Sequence, residues 1–135
     1  MKIAIVGTRT FDDYEAVKAY MAIVTEGLVV EAIISGGANG ADTLGECYAH
    51  DNGIPMIVFR PEWDQYGKSA GMMRNRTIVQ NSDIIVAFWD GESAGTKNTI
   101  KLSQKSGKPV YIYNYVRKDF YKEAAIATIE HMFDE

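Results

Sequence analysis

The chain has 135 residues and a mass of 15.0 kDa, of which 47% are hydrophobic and 24% charged; this is the composition of one globular domain over residues 1–135 and excludes a disordered, collagen-like or fibrous protein. A single cysteine, Cys47, excludes an internal disulfide framework, and without a Cys/His cluster no metal or other cofactor is expected and a reducing, cytoplasmic setting is implied. A net charge of -4 and a pI near 5.2 argue against a nucleic-acid partner, and no apolar run approaches the roughly 20 residues that would span a membrane.

Residues 2–6 read as a buried strand ending at Gly7, Thr8 and Arg9, after which Asp12 or Asp13 caps a helix whose apolar face is Tyr14, Val17, Met21, Val24 and Leu28. Residues 31–35 form a second strand, followed by the loop GGANGAD and a helix over about residues 41–52 that Gly53 stops. Pro55 opens a third strand at 56–59, and a long connection, RPEWDQYGKSAG, leads to a helix over about 70–81. A fourth strand covers 84–88, the glycine-bearing loop GESAGT follows, and a helix over 97–106 stops at Gly107. The fifth strand is 109–113, and an amphipathic helix over about 119–133 closes the chain, packed on the domain or used for assembly. Near-continuous apolar strands alternating with helices imply an α/β, Rossmann-like fold: a mainly parallel five-stranded sheet flanked by helices on both faces.

Ligands of such sheets bind beyond the carboxyl ends of the strands, where the strand order reverses. The segments predicted at that rim are GTR, SGGANGAD, RPEW and DGESAGT. Ser35, Gly36, Gly37, Asn39, Gly40, Ala41 and Asp42 run from a strand into a helix, so their backbone N–H groups can surround an anion, and a valine at Gly37 or Gly40 would occupy that space in a folded protein. The equally plain alternative is a tight turn in which Asp42 supports the helix dipole. The loop is neither GxxxxGK[ST] nor GxGxxG, which weakens the ATPase and dehydrogenase readings. Gly91, Gly95 and Thr96 belong to a second such loop facing the first. Arg74 and Arg76 point roughly 200° apart on their helix, so only one faces the pocket, and Arg74 with Asn75 is the expected one. Trp63, Tyr66 and Trp89 offer flat surfaces on which a base stacks, against the plainer reading of core or rim packing; Glu62 and Asp90 can bond ribose hydroxyls or exchange protons. His50 and His131 read as surface residues and Cys47 as core filler.

The segments GTRTFDDYE, SGGANGADTLGECYA, PEWDQYGKSAGMMRNRTIVQNSDIIVAFWDG and SAGTKNTI resemble, in order and across about residues 2–113, the YspA-type, YpsA-related branch of the SLOG superfamily. The resemblance implies a Rossmann-like fold and a pocket for nucleotides or nucleotide-derived ligands. By position, Gly7, Thr8 and Arg9 resemble the first-strand motif, in which serine is usual where Thr8 stands; Gly36, Gly37, Gly40, Ala41 and Asp42 resemble the glycine loop, and Arg74 and Asn75 the helix motif. Lonely Guy phosphoribohydrolases of the same superfamily release the base from a nucleoside 5′-monophosphate with a helix arginine and a glutamate three residues after the Gly-Thr of PGGxGTxxE. Arg74 resembles that arginine in its spacing from Asp83, but Thr99 occupies the glutamate position and DGESAGT is longer than PGGxGT. The hydrolase pair is therefore incomplete, and Arg74, Asp90 and Glu92 are the remaining catalytic candidates, with Glu62 a further carboxylate. The leading expectation is binding or sensing of a nucleotide-derived small molecule of ADP-ribose, NAD-related or cyclic nucleotide type. The alternative is N-glycosidic hydrolysis of a nucleoside phosphate, and a single-stranded DNA-binding, DprA-like module ranks third. A homo-oligomer using residues 113–115 and the last helix is a further, non-ligand expectation.

Overall fold

A computed structural model describes residues 1–123. Five strands, β1 (Lys2–Gly7), β2 (Ala32–Ser35), β3 (Met56–Val58), β4 (Ile84–Trp89) and β5 (Val110–Asn114), pair in parallel, and a sixth, β6 (Asp119–Glu123), joins antiparallel to β5. The order across the sheet is β3-β2-β1-β4-β5-β6. The helices are α1 (Tyr14–Val24), α2 (Ala41–Asp51), the single turn α3 (Trp63–Tyr66), α4 (Ala70–Asn81) and α5 (Ala94–Lys105).

Period-two alternation in β1 builds two cores. Ile3 and Ile5 pack with Val17, Met21, Tyr48 and Ala49 under α1 and α2, whereas Ala4 and Val6 pack with Ile78 and Ile100 under α4 and α5. Asp13 caps α1, its carboxylate accepting from the Ala16 N–H at 3.1 Å, and the helix lays Val17, Met21 and Val24 on the sheet. Each of those side chains contributes about 1.5–3 kcal/mol on burial. The chain leaves β1 toward β2 by one face and reaches β4 from the far edge strand β3 by the other, so the order reverses between β1 and β4.

Several expectations need correction. Residues 119–123 are a strand rather than the start of a helix: Phe120 points into the α1 core and Tyr121 into the opposite one, an alternation that suits a sheet edge, and the rest of the expected helix lies outside the described residues. Among the described residues the sheet accordingly has six strands, not five. Helix α5 begins at Ala94 rather than residue 97, so Gly95 and Thr96 form its first turn instead of a loop. Leu28 lies beyond the end of α1 and is exposed, as is Cys47, which fills no core. Tyr113 and Asn114 are buried, the latter accepting N–H bonds from Val116 and Arg117 in the β5–β6 turn, and Tyr115 is half-buried. Among the described residues no helix is long and apolar enough to cross a membrane, and no cluster of His, Cys, Asp and Glu could hold a metal ion.

Candidate functional site

An open cleft of about 480 Å³ lies at the switch point, beyond the carboxyl ends of β1 and β4. Two glycines let its floor form. A Cβ on Gly7 would collide with the Phe88 carbonyl and with Ala41, and one on Gly40, where φ is 74°, would collide with the backbone of Thr8 and Arg9. The start of α2 can therefore sit directly on the end of β1, where the Ala41 N–H donates to the Thr8 carbonyl at 3.3 Å. Thr8 is buried and ties β1 to the next loop, its Oγ1 accepting from the Asp90 N–H at 3.1 Å and lying 3.2 Å from the Ser93 hydroxyl.

The loop from Gly36 to Asp42 is bonded largely to itself. Asp42, buried at the start of α2, accepts the Ala38 N–H at 3.1 Å, and the Gly37 N–H donates to Ser35 Oγ at 3.1 Å. Two arginines hold the loop carbonyls: Arg74 Nη1 donates to Gly36 O at 2.6 Å and Arg60 Nη1 to Gly37 O at 3.2 Å. Burial pushes the Asp42 carboxyl up to about 6, against the opposing effects of the Ala38 N–H, the nearby Arg74 cation and the Gly36 N–H. Burial also lowers Arg74, and the Asp42 charge counters it. A carboxylate that could have repelled an anion is thus bonded to its own loop and partly offset by the Arg74 charge.

The opposite loop is arranged differently. The Asp90 carboxylate accepts the Glu92 and Ser93 N–H groups, each at 2.8 Å, and the Ser93 hydroxyl lies 3.2 Å from its second oxygen. Burial alone would raise Asp90, but the Ser93 and Glu92 bonds outweigh it and hold the carboxyl below the usual range. Because Ser93 turns its hydroxyl to Asp90 and Thr8, no side chain caps α5, and Ala94, Gly95 and Thr96 of its first turn, whose N–H groups have no partner within the helix, line the cleft. Thr99 also lines the cleft, and its hydroxyl is turned back to the Gly95 carbonyl at 3.2 Å. Asn75 joins α4 to α5 through the Gly95 carbonyl and Asn98, while accepting from Arg74 Nε at 2.9 Å.

The fold brings Gly7, Thr8, Arg9, Asp42, Arg74, Asn75, Asp90, Gly95 and Thr96 to the one cleft. Arg76 is exposed on another side of α4. Gly36, Gly37, Asn39 and Trp63 line an adjoining groove, and Glu62 and Tyr66 a smaller hollow beside it. Ser35, Gly40 and Ala41 lie behind the cleft as supports, and Gly91 and Glu92 are not among its lining. Trp89 is half-buried against the core and donates to the Ser93 carbonyl at 3.1 Å, which makes it a support rather than a stacking surface. Thr99 lines the cleft, as its place at the glutamate position implies, whereas Arg60, Ser93 and Ala94, though within the predicted rim segments RPEW and DGESAGT, were not singled out by sequence reasoning. Ser93 was findable, because serine before a helix is a common cap, whereas nothing local announces that Arg60 folds over the loop.

The model of the YspA, cpYpsA-related SLOG family matches residues 1–66. The chain is also 32% identical over 119 residues to the gene 61 protein of Mycobacterium phage D29, an alignment covering 81% of this chain and 93% of that relative. No solved structure matches the chain significantly. With a six-stranded, mainly parallel Rossmann-like sheet, the family's glycine-loop segment within the matched residues, and a relative aligned over most of both lengths, the chain belongs to the YspA, cpYpsA-related SLOG family.

Proposed function

We propose that the cleft binds a nucleotide-derived small molecule by its phosphate and does not break the glycosidic bond. The observation that carries this reading is the uncapped start of α5: Ala94, Gly95 and Thr96 of its first turn line a cleft that Arg9 and Arg74 also line. Oriented N–H groups, the positive end of a helix dipole and guanidinium cations together favour a phosphate over a neutral ligand. The ionised Asp90 keeps lone pairs beyond those its loop uses, which suits a ribose hydroxyl. Family membership supports a nucleotide-related ligand in general.

Glycosidic cleavage builds positive charge on the ribose, and a nearby free carboxylate is the expected stabiliser. Thr99 supplies only a hydroxyl already bonded to Gly95. Among the described residues the carboxylates lining the cleft are Asp42, which burial pushes toward its neutral form, and Asp90, which this reading assigns to the ribose hydroxyls rather than to the ring carbon where the charge develops. One observation favours hydrolysis as a second reading: Asp42, pushed up to about 6, can exchange a proton near neutral pH. Calorimetric titration with nucleoside 5′-monophosphates and with dinucleotides, run beside an assay for released base, decides between them. Binding without base release is expected. Multiple-turnover release that Asp42→Asn or Asp90→Asn abolishes would establish the hydrolase, and no heat with any nucleotide would refute both readings.

A further inference from the structure

A groove of about 360 Å³ continues from the cleft across the outside of the glycine loop, sharing Arg9, Ala38 and Arg74 with it and adding Arg60 and Trp63. Among the described residues three arginines line this groove and no carboxylate does. Arg60 spends one donor on the Gly37 carbonyl, which lays its guanidinium over the loop, and four of its five N–H donors remain. Gly37 permits this because a Cβ there would stand 2.6 Å from Arg60 Nη1. Trp63 opens α3 with its ring edge 3.4 Å from where a Cβ on Gly71 would lie, so the indole rests near bare helix backbone and is still 52% exposed. A large ring held out to water beside guanidinium groups suits a ligand that is both planar and anionic.

Resting on the reading of the cleft as a phosphate site, we propose that this groove is a second subsite, and that the ligand is a dinucleotide whose distal phosphate meets Arg60 and Arg9 while its distal base stacks on Trp63. The two spaces each fall within the roughly 300–1,000 Å³ of small-ligand sites, and their shared lining lets one molecule occupy both. A mononucleotide fills the cleft alone and leaves the arginine groove to water.

The test is titration of the full chain with AMP, with diadenosine diphosphate and with the linear dinucleotide pApA. At least one dinucleotide is expected to bind about tenfold or more tighter than AMP, and Arg60→Gln and Trp63→Ala should each reduce that advantage to within about threefold while leaving AMP affinity unchanged. Trp63→Ala touches no loop carbonyl, so it separates loss of the subsite from any disturbance of the loop by Arg60→Gln. Equal affinity for AMP and both dinucleotides would overturn the subsite while sparing the phosphate cleft. Equal weakening of AMP and dinucleotides by Trp63→Ala would overturn it too. Failure of all three to bind would refute the cleft reading itself, and tighter binding of an oligothymidylate than of either dinucleotide would assign the groove to single-stranded nucleic acid instead.

Discussion

Asp42 carries the clearest single-residue consequence. Its pKa of about 6 in the folded protein lies above the roughly 3.9 of an unfolded chain, so the folded state holds the proton more tightly between those values. The contribution to stability is therefore full below about pH 4 and lost as pH rises through about 6. Asparagine retains an acceptor for the Ala38 N–H and does not titrate. Denaturant titrations should accordingly show wild type losing on the order of 2–3 kcal/mol relative to Asp42→Asn between about pH 4 and pH 7. A flat difference across that range would mean that the carboxyl is not desolvated as described. Gly40 behaves unlike the sequence-based expectation of a folded protein with a filled anion site: valine at a φ of 74°, driven against the backbone of Thr8 and Arg9, should cost more than about 2 kcal/mol and lower the melting temperature. An unchanged melting temperature would contradict this. Arg74→Ala should weaken phosphate binding by on the order of 1.5–3 kcal/mol, and Arg76→Ala, on an exposed part of the same helix, should leave calorimetric affinity unchanged.

Among the elements, α5 and β6 are where local pattern and structure part. The sequence places α4 at 70–81, the span Ala70–Asn81 that the structure shows, because its ends are marked by a small-residue connection and a strand-opening Asp83. It starts α5 three residues late because glycine in GESAGT reads as loop, although a first helical turn tolerates it. Helix β-edge ambiguity explains the other miss: residues 119–123 follow a turn with Lys118 at a φ of 59°, not the Asn-Gly or Gly-X that usually announces a hairpin, and Asp119 resembles a helix cap. Phe120 anchors that strand by stacking on Tyr20, with centroids 4.5 Å apart, and on Tyr111 at 5.9 Å. Phe120→Ala should destabilise the domain by about 1–3 kcal/mol, less than a fully buried phenylalanine, and a chemical-denaturation midpoint that does not move would argue against this edge. For α5, Ala94→Glu puts a carboxylate on the exposed first turn, which favours the helix dipole and repels a bound phosphate. Nucleotide affinity should fall about tenfold or more with melting temperature unchanged or raised. Retained affinity would move the phosphate away from α5.

At the scale of the whole molecule, the switch point between β1 and β4 was legible because strand ends, glycines and hydroxyl residues coincide on one rim, and Thr8, Arg9, Arg74, Asp90, Gly95 and Thr96 do meet there. What the chain did not reveal locally is which loop is open. The glycine loop looks like the anion cradle, yet Ser35 and Asp42 take its Gly37 and Ala38 N–H groups, and the serine that would cap α5 is diverted to Asp90 and Thr8. Such exchanges depend on partners far apart in sequence, as Thr8 and Ser93 are, and no window of neighbouring residues contains them. The central claim, that phosphate sits on the start of α5, is tested most directly by amide ¹H–¹⁵N shift mapping during titration with AMP and diadenosine diphosphate. With AMP the account predicts saturable shifts largest at Ala94, Gly95 and Thr96 and smaller ones at the Gly37 and Ala38 amides, already bonded to Ser35 and Asp42, whereas diadenosine diphosphate should add shifts along the groove that Gly37 and Ala38 line. Shifts centred on Gly37 and Ala38 with α5 unmoved, or no saturable shift with either nucleotide, would contradict it.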